Sequence, residues 1–149
     1  MAHRGAIGGF VIGVMLAGAA ALAGTPQPVD NPYQGEFPFA VGEPVTVGVT
    51  IGGVVWEMFS ATPQGKIRSG RPVKTVLEMA FDNGTANTVD LIVVVLFEDE
   101  RGESLDRIEL DPVTLSAGRA RRFRKKVKIQ ADVLSAAAKV YLFCEVRPH

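Results

Sequence analysis

The chain has 149 residues, of which 16 are basic and 16 acidic, and 47% are hydrophobic. This length suits one domain of roughly 100 residues plus flanking segments, able to bury a core without disulfides or metal. A net charge of zero removes the global electrostatic case for nucleic acid, and the single cysteine, Cys144, excludes an intrachain disulfide and a cysteine-based zinc cluster.

Taken in order, Arg4 precedes a run without charge over residues 6–24 that ends near Ala21-Leu22-Ala23, small residues at the positions a signal peptidase reads. Two readings of residues 1–23 stand: a cleaved export signal, or a retained membrane anchor, since the run is long enough to span a bilayer. Both place the remainder outside the cytoplasm: periplasmic, secreted or at the cell surface. Residues 24–44 hold Pro26, Pro28, Pro32, Pro38 and Pro44, a density that predicts an extended linker. Tyr33, Phe37 and Phe39 lie inside it and suggest that part of it rests against the domain.

From residue 45 the pattern turns to strand. Val45, Val47, Val49 and Ile51 alternate with Thr46, Gly48 and Thr50. Gly52-Gly53 interrupts, and residues 54–60 resume with the lone tryptophan, Trp56. Val73, Thr75, Leu77, Met79 and Phe81 alternate with polar residues up to the turn pair Asn83-Gly84. Residues 89–99, VDLIVVVLFED, form an apolar, β-branched run bounded by turns and too short for a membrane. It reads as the central strand. Further strands fall at residues 105–110, 119–129 and 139–146, with residues 131–138 a loop or one helical turn. About seven strands at short spacing predict an all-β, antiparallel β-sandwich over residues 45–149.

The segment Leu96-Phe97-Glu98-Asp99-Glu100-Arg101-Gly102-Glu103, followed by Leu115-Ser116-Ala117-Gly118 and Phe123, resembles bacterial FxLYD-type domains and their fibronectin-III-like relatives. Leu96, Phe97 and Glu98 or Asp99 take the places of that motif's leucine, aromatic and acid, with Val94 at its first position. The resemblance covers residues 73–146. It implies an extracytoplasmic, immunoglobulin-like sandwich acting as a binding, adhesive or spacer module rather than an enzyme, although fold does not fix function.

Two surfaces are candidate sites. Ile92, Val94 and Leu96 point away from the core face of the central strand, as Tyr141 and Phe143 do on the last strand. In an immunoglobulin-like order these strands are neighbours, so the five side chains form one outer apolar patch. The patch is either a surface for a protein partner or for self-association, or it is covered by Phe37 and Phe39 of the linker. The second candidate is a basic stripe, Arg122, Arg124, Lys126 and Lys128, with side chains spaced by about 6.7 Å along one strand face. It follows from a sorting of charge: residues 76–114 hold 10 acidic and 2 basic residues, and residues 115–149 hold 9 basic and 2 acidic. The stripe would meet anionic lipid, a wall polymer or an acidic partner. Alternatively it pairs with acids of a neighbouring strand, such as Asp106, Glu109 and Asp111, and blunts a sheet edge. It lacks the aromatic platform that single-stranded nucleic acid needs.

Little else carries chemistry. Glu98, Asp99, Glu100, Glu103 and Asp106 fit no calcium-loop spacing. Asn83-Gly84-Thr85 matches an N-glycosylation sequon. The two histidines, His3 and His149, stand at the chain ends, so neither a hydroxyl nor Cys144 has an internal histidine as base. The expectation is an exported, non-enzymatic binding or assembly module without cofactor or metal. The rival is an accessory subunit of a membrane complex, held by residues 6–24 as a transmembrane helix.

Overall fold

A computed structural model describes residues 24–149. The signal or anchor reading of residues 1–23 falls outside the described residues. Ten strands and one short helix follow: β1 (Gln27–Val29), β2 (Tyr33–Pro38), β3 (Val45–Ile51), β4 (Val54–Pro63), β5 (Pro72–Asn83), β6 (Val89–Glu98), β7 (Ser104–Glu109), β8 (Val113–Leu115), β9 (Ala120–Gln130), α1 (Ala131–Ala136) and β10 (Lys139–Pro148). One sheet runs β1-β3-β4-β5-β9; the other runs β2-β10-β6-β7, with β8 paired to the start of β6. The all-β sandwich is thus what forms. The seven strands expected correspond to β3 to β7, β9 and β10, and the three more are β1, β2 and β8.

Alternation builds the core. Val45, Val47, Val49 and Ile51 of β3 face Leu91, Val93, Val95 and Phe97 of β6 and Val140, Leu142 and Cys144 of β10 within one buried cluster. Gly48, at φ 61°, lies where the β3–β4 register shifts, a bulge that a residue with a Cβ enters only under strain. Gly52 and Gly53, at φ 53° and 83°, supply the two positive angles of a tight hairpin turn.

The linker reading of residues 24–44 is corrected. β1 pairs parallel with β3, and β2 pairs antiparallel with β10. Between them Asn31 grips β10: its Nδ2 donates to the Val146 carbonyl (2.9 Å), and its Oδ1 accepts from the Val146 N–H (3.0 Å). The prolines sit where they cost least, Pro28 on an outermost strand and Pro38 at a strand end. Phe39 is buried edge-to-face against Phe97, with ring centroids 5.3 Å apart. Tyr33 and Phe37 pack on the core from the inner side. These aromatics therefore do not cover the outer patch, and the expectation of internal cover fails with the linker.

Candidate functional site

The outer face of the second sheet is the candidate site. β6 is central there, as expected, with β10 on one side and β7 and β8 on the other. Leu91, Val93, Val95 and Phe97 are buried, whereas Ile92, Val94 and Leu96 are only half-buried. The register brings the five patch residues together: Tyr141 lies opposite Leu96, Phe143 opposite Val94, and Glu145 opposite Ile92. Tyr141 and Phe143 are also half-buried.

The flanking strands complete two rows across the sheet. One reads Gln34, Phe143, Val94, Glu109; the other reads Glu36, Tyr141, Leu96, Arg107. Each row is polar at its ends and apolar in the middle. The Tyr141 hydroxyl donates to Gln34 Oε1, Lys139 pairs with Glu36 at 3.6 Å, and Arg107 pairs with Glu109. Gln34, Arg107, Val94, Leu96, Tyr141 and Phe143 line a shallow depression of about 320 Å³. The face thus has an apolar, aromatic centre within a polar rim.

At the margin of this face stands Glu98, 7% exposed, with Oε1 lacking any hydrogen-bond partner. Burial raises its pKa above the ordinary carboxylate value, the neighbouring Glu36 carboxylate adds to the rise, and Lys139 opposes it. A raised carboxyl pKa in the folded state favours the protonated form. Its stabilisation is complete below the unfolded value and is lost as pH climbs through the raised folded value. Glu98→Gln is therefore expected to raise the urea midpoint at neutral pH, with the gap to the parent closing below pH 4.5. A constant gap across that range would show that proton binding at Glu98 is not the cause.

The basic stripe lies where expected on its strand but beside a different neighbour. Arg122, Arg124, Lys126 and Lys128 face outward and Phe123 and Ile129 inward on β9, an edge of the first sheet. The partner strand is β5. Asp106, Glu109 and Asp111 do not flank the stripe, because β7 and the loop after it belong to the second sheet. Glu78 alone takes up two of the charges, with Arg122 at 2.7 Å and Arg124 at 3.4 Å. Lys126 faces Val76, and Lys128 faces Lys74.

The remaining candidates resolve locally. Asp99 spends its carboxylate on its own turn, accepting from Arg101 N–H (2.8 Å) and Glu103 N–H (3.0 Å). Among the described residues no three His, Cys, Asp or Glu side chains gather as a metal site would need. Cys144 is fully buried, and burial pushes its thiol up to about 12, so thiolate is negligible at neutral pH. Asp90 accepts from the Thr114 hydroxyl (2.8 Å) and sits 3.0 Å from His149 Nδ1, and these contacts hold its pKa low. The hydroxyl meets the carboxylate rather than the imidazole, an order that does not activate a nucleophile. The Asn83 side chain is 0% exposed and its amide nitrogen is fully engaged, so the sequon reading is corrected: the acceptor atom is inside.

No protein-family model and no curated protein matches this chain. Among solved structures, the enzymatically active domain of bacteriophage CBA120 tailspike protein 4 aligns with 80% of this chain at 9% identity and a TM-score of 0.26. The alignment spans 17% of the tailspike chain. A score that low transfers neither fold nor activity.

Proposed function

We propose that this protein is a non-enzymatic, extracytoplasmic binding or assembly module, and that it engages a protein partner or a second copy of itself through the outer face of β10 and β6. The resemblance to FxLYD-type and fibronectin-III-like domains and an immunoglobulin-like reading of the sandwich agree with that role. The observation that carries it is the continuous, half-buried apolar patch of Ile92, Val94, Leu96, Tyr141 and Phe143 on the outer face of paired strands. Contiguous apolar surface of this kind, rimmed by ion pairs, favours association over exposure to water.

Leu96→Asp and Tyr141→Ser test it. Both side chains are half-buried on an outer face, so the unfolding midpoint is expected to hold. Sedimentation equilibrium, and capture of partners from membrane and periplasmic fractions, should show association weakened by about thirtyfold or more, the scale of a central contact residue. Association unchanged by both substitutions would overturn the reading. Unfolding by either would move those side chains into the core.

A further inference from the structure

Sequence order hides a second basic segment. Between Glu57 and Glu78 the chain has no acid and four cations, Lys66, Arg68, Arg71 and Lys74. The fold sets this segment beside the end of β9. Pro72 pairs with Gln130, Lys74 lies opposite Lys128, Ala131 N–H donates to the Arg71 carbonyl (2.9 Å), and Ser69 Oγ donates to Asp132 Oδ1 (3.0 Å). Gln64, Lys74, Lys126 and Lys128 surround one shallow depression of about 220 Å³. Asp132, already bonded to Ser69, is the acid built into this corner, while Glu78 is committed to Arg122 and Arg124 higher on the strand.

Ile67 projects between Lys66 and Arg68 at the loop tip. At 39% exposure it is the exposed large hydrophobic residue among those described. We infer that this corner, formed by the β4–β5 loop and the ends of β5 and β9, docks the domain on an anionic lipid bilayer. The cations sit at phosphate level, and Ile67 enters the headgroup layer. This surface lies on the first sheet, so it goes beyond the protein contact proposed above.

Three features favour a bilayer over an acidic protein. A protein partner meets a contoured apolar centre within a polar rim, whereas here one apolar tip is ringed by charge, the pattern of a shallow interfacial anchor. Lys74 and Lys128 directly opposite each other repel, a cost that a surrounding field of anionic headgroups relieves. The chain also enters the sandwich from this end. β1 runs parallel to β3 with Gln27 opposite Val49, so residues 24–26 lead back toward the Val45 end, beyond which the β4–β5 loop projects. The acids of residues 99–103 share that end but belong to the other sheet, about 10 Å away, and exposed Glu43 precedes β3, which β4 separates from β5, so the β5–β9 corner faces the bilayer rather than the whole end.

Binding of the full chain to vesicles of phosphatidylcholine alone, and of phosphatidylcholine mixed with phosphatidylglycerol, tests this. Partitioning is expected to rise with phosphatidylglycerol and to fall with salt. It should drop about fivefold for each cation removed. Lys66→Glu, Arg68→Glu, Lys126→Glu and Lys128→Glu together should return it to the phosphatidylcholine level, which also measures any contribution of residues 1–23. Ile67→Asp should weaken binding even with every cation retained. All five positions are exposed, and Lys128→Glu gives Lys74 an opposite charge, so that variant should unfold at higher urea while binding less. A gain in stability with a loss of binding separates a surface role from damage to the fold. Equal binding to both vesicle types, or an unaffected quadruple variant, would overturn the inference. So would capture of an acidic peptide without any preference for anionic vesicles.

Discussion

Asn83→Ala is expected to cost about 3 kcal/mol, a large part of the stability of a domain this size. Asn83 closes β5 and is 0% exposed. Its Nδ2 donates to the carbonyls of Asn87 (2.8 Å) and Leu115 (3.1 Å), while its Oδ1 accepts from Thr85 N–H (3.0 Å) and Thr85 Oγ1 (2.6 Å). One side chain thus fixes the β5–β6 turn and joins the first sheet to β8 of the second. Alanine takes the side-chain partner from the buried Leu115 bond and from the part-buried Asn87 and Thr85 groups, and opens a small void. Asn83→Asp separates the two effects. It keeps the shape and the Thr85 contacts but sets a carboxylate against two carbonyl oxygens, so its cost should ease at acid pH as the carboxyl protonates. Urea unfolding with an unchanged slope would read both costs. A loss below about 1 kcal/mol for alanine would show the turn to be held by its backbone alone.

Where burial follows side-chain period, the sequence was readable. β3, β5 and β6 alternate so cleanly that their inner faces could be named from residue type, and the outward set on β9 likewise. The pairing of β6 with β10 needed an assumed strand order, yet it placed Tyr141 and Phe143 beside Leu96 and Val94. What was missed depends on partners distant in sequence. β1 and β2 are proline-bearing outer strands held by Asn31 through backbone groups 115 residues away, and no local pattern announces such a clasp. The neighbour of β9 turned on which sheet β9 joins, a choice that charge sorting alone assigns wrongly. Asn83 read as a surface turn and a sequon because the same Asn-Gly pair suits an exposed hairpin, and only β8 arriving from another part of the chain buries it. The polar frame of the patch, Gln34, Glu36 and Arg107, was invisible for the same reason: it exists only once β2 and β7 flank the apolar strands.

Trp56→Ala is expected to destabilise the domain by about 3–5 kcal/mol, while Trp56→Phe should cost clearly less. Trp56 is 0% exposed and stacks on Phe81, centroids 5.1 Å apart at 28°; Phe81 in turn tilts against Phe123 at 6.1 Å. This row crosses β4, β5 and β9, so it ties the basic edge strand into the core. The indole N–H also donates to the Met58 carbonyl (2.9 Å), spanning the bulge that shifts the β4–β5 register. Phenylalanine keeps most of the row but loses that bond and leaves a small cavity where the rest of the indole packed, a loss of about 1–3 kcal/mol. Alanine loses both, and its effect should not add to that of Phe81→Ala, because each removes the other's packing partner. Amide hydrogen exchange offers the sharper reading. With the row broken, protection along β9 should fall more than along β10, whose neighbours lie in the other sheet. An equal fall in both strands would mean that the aromatic row stabilises the sandwich as a whole and gives β9 no particular hold.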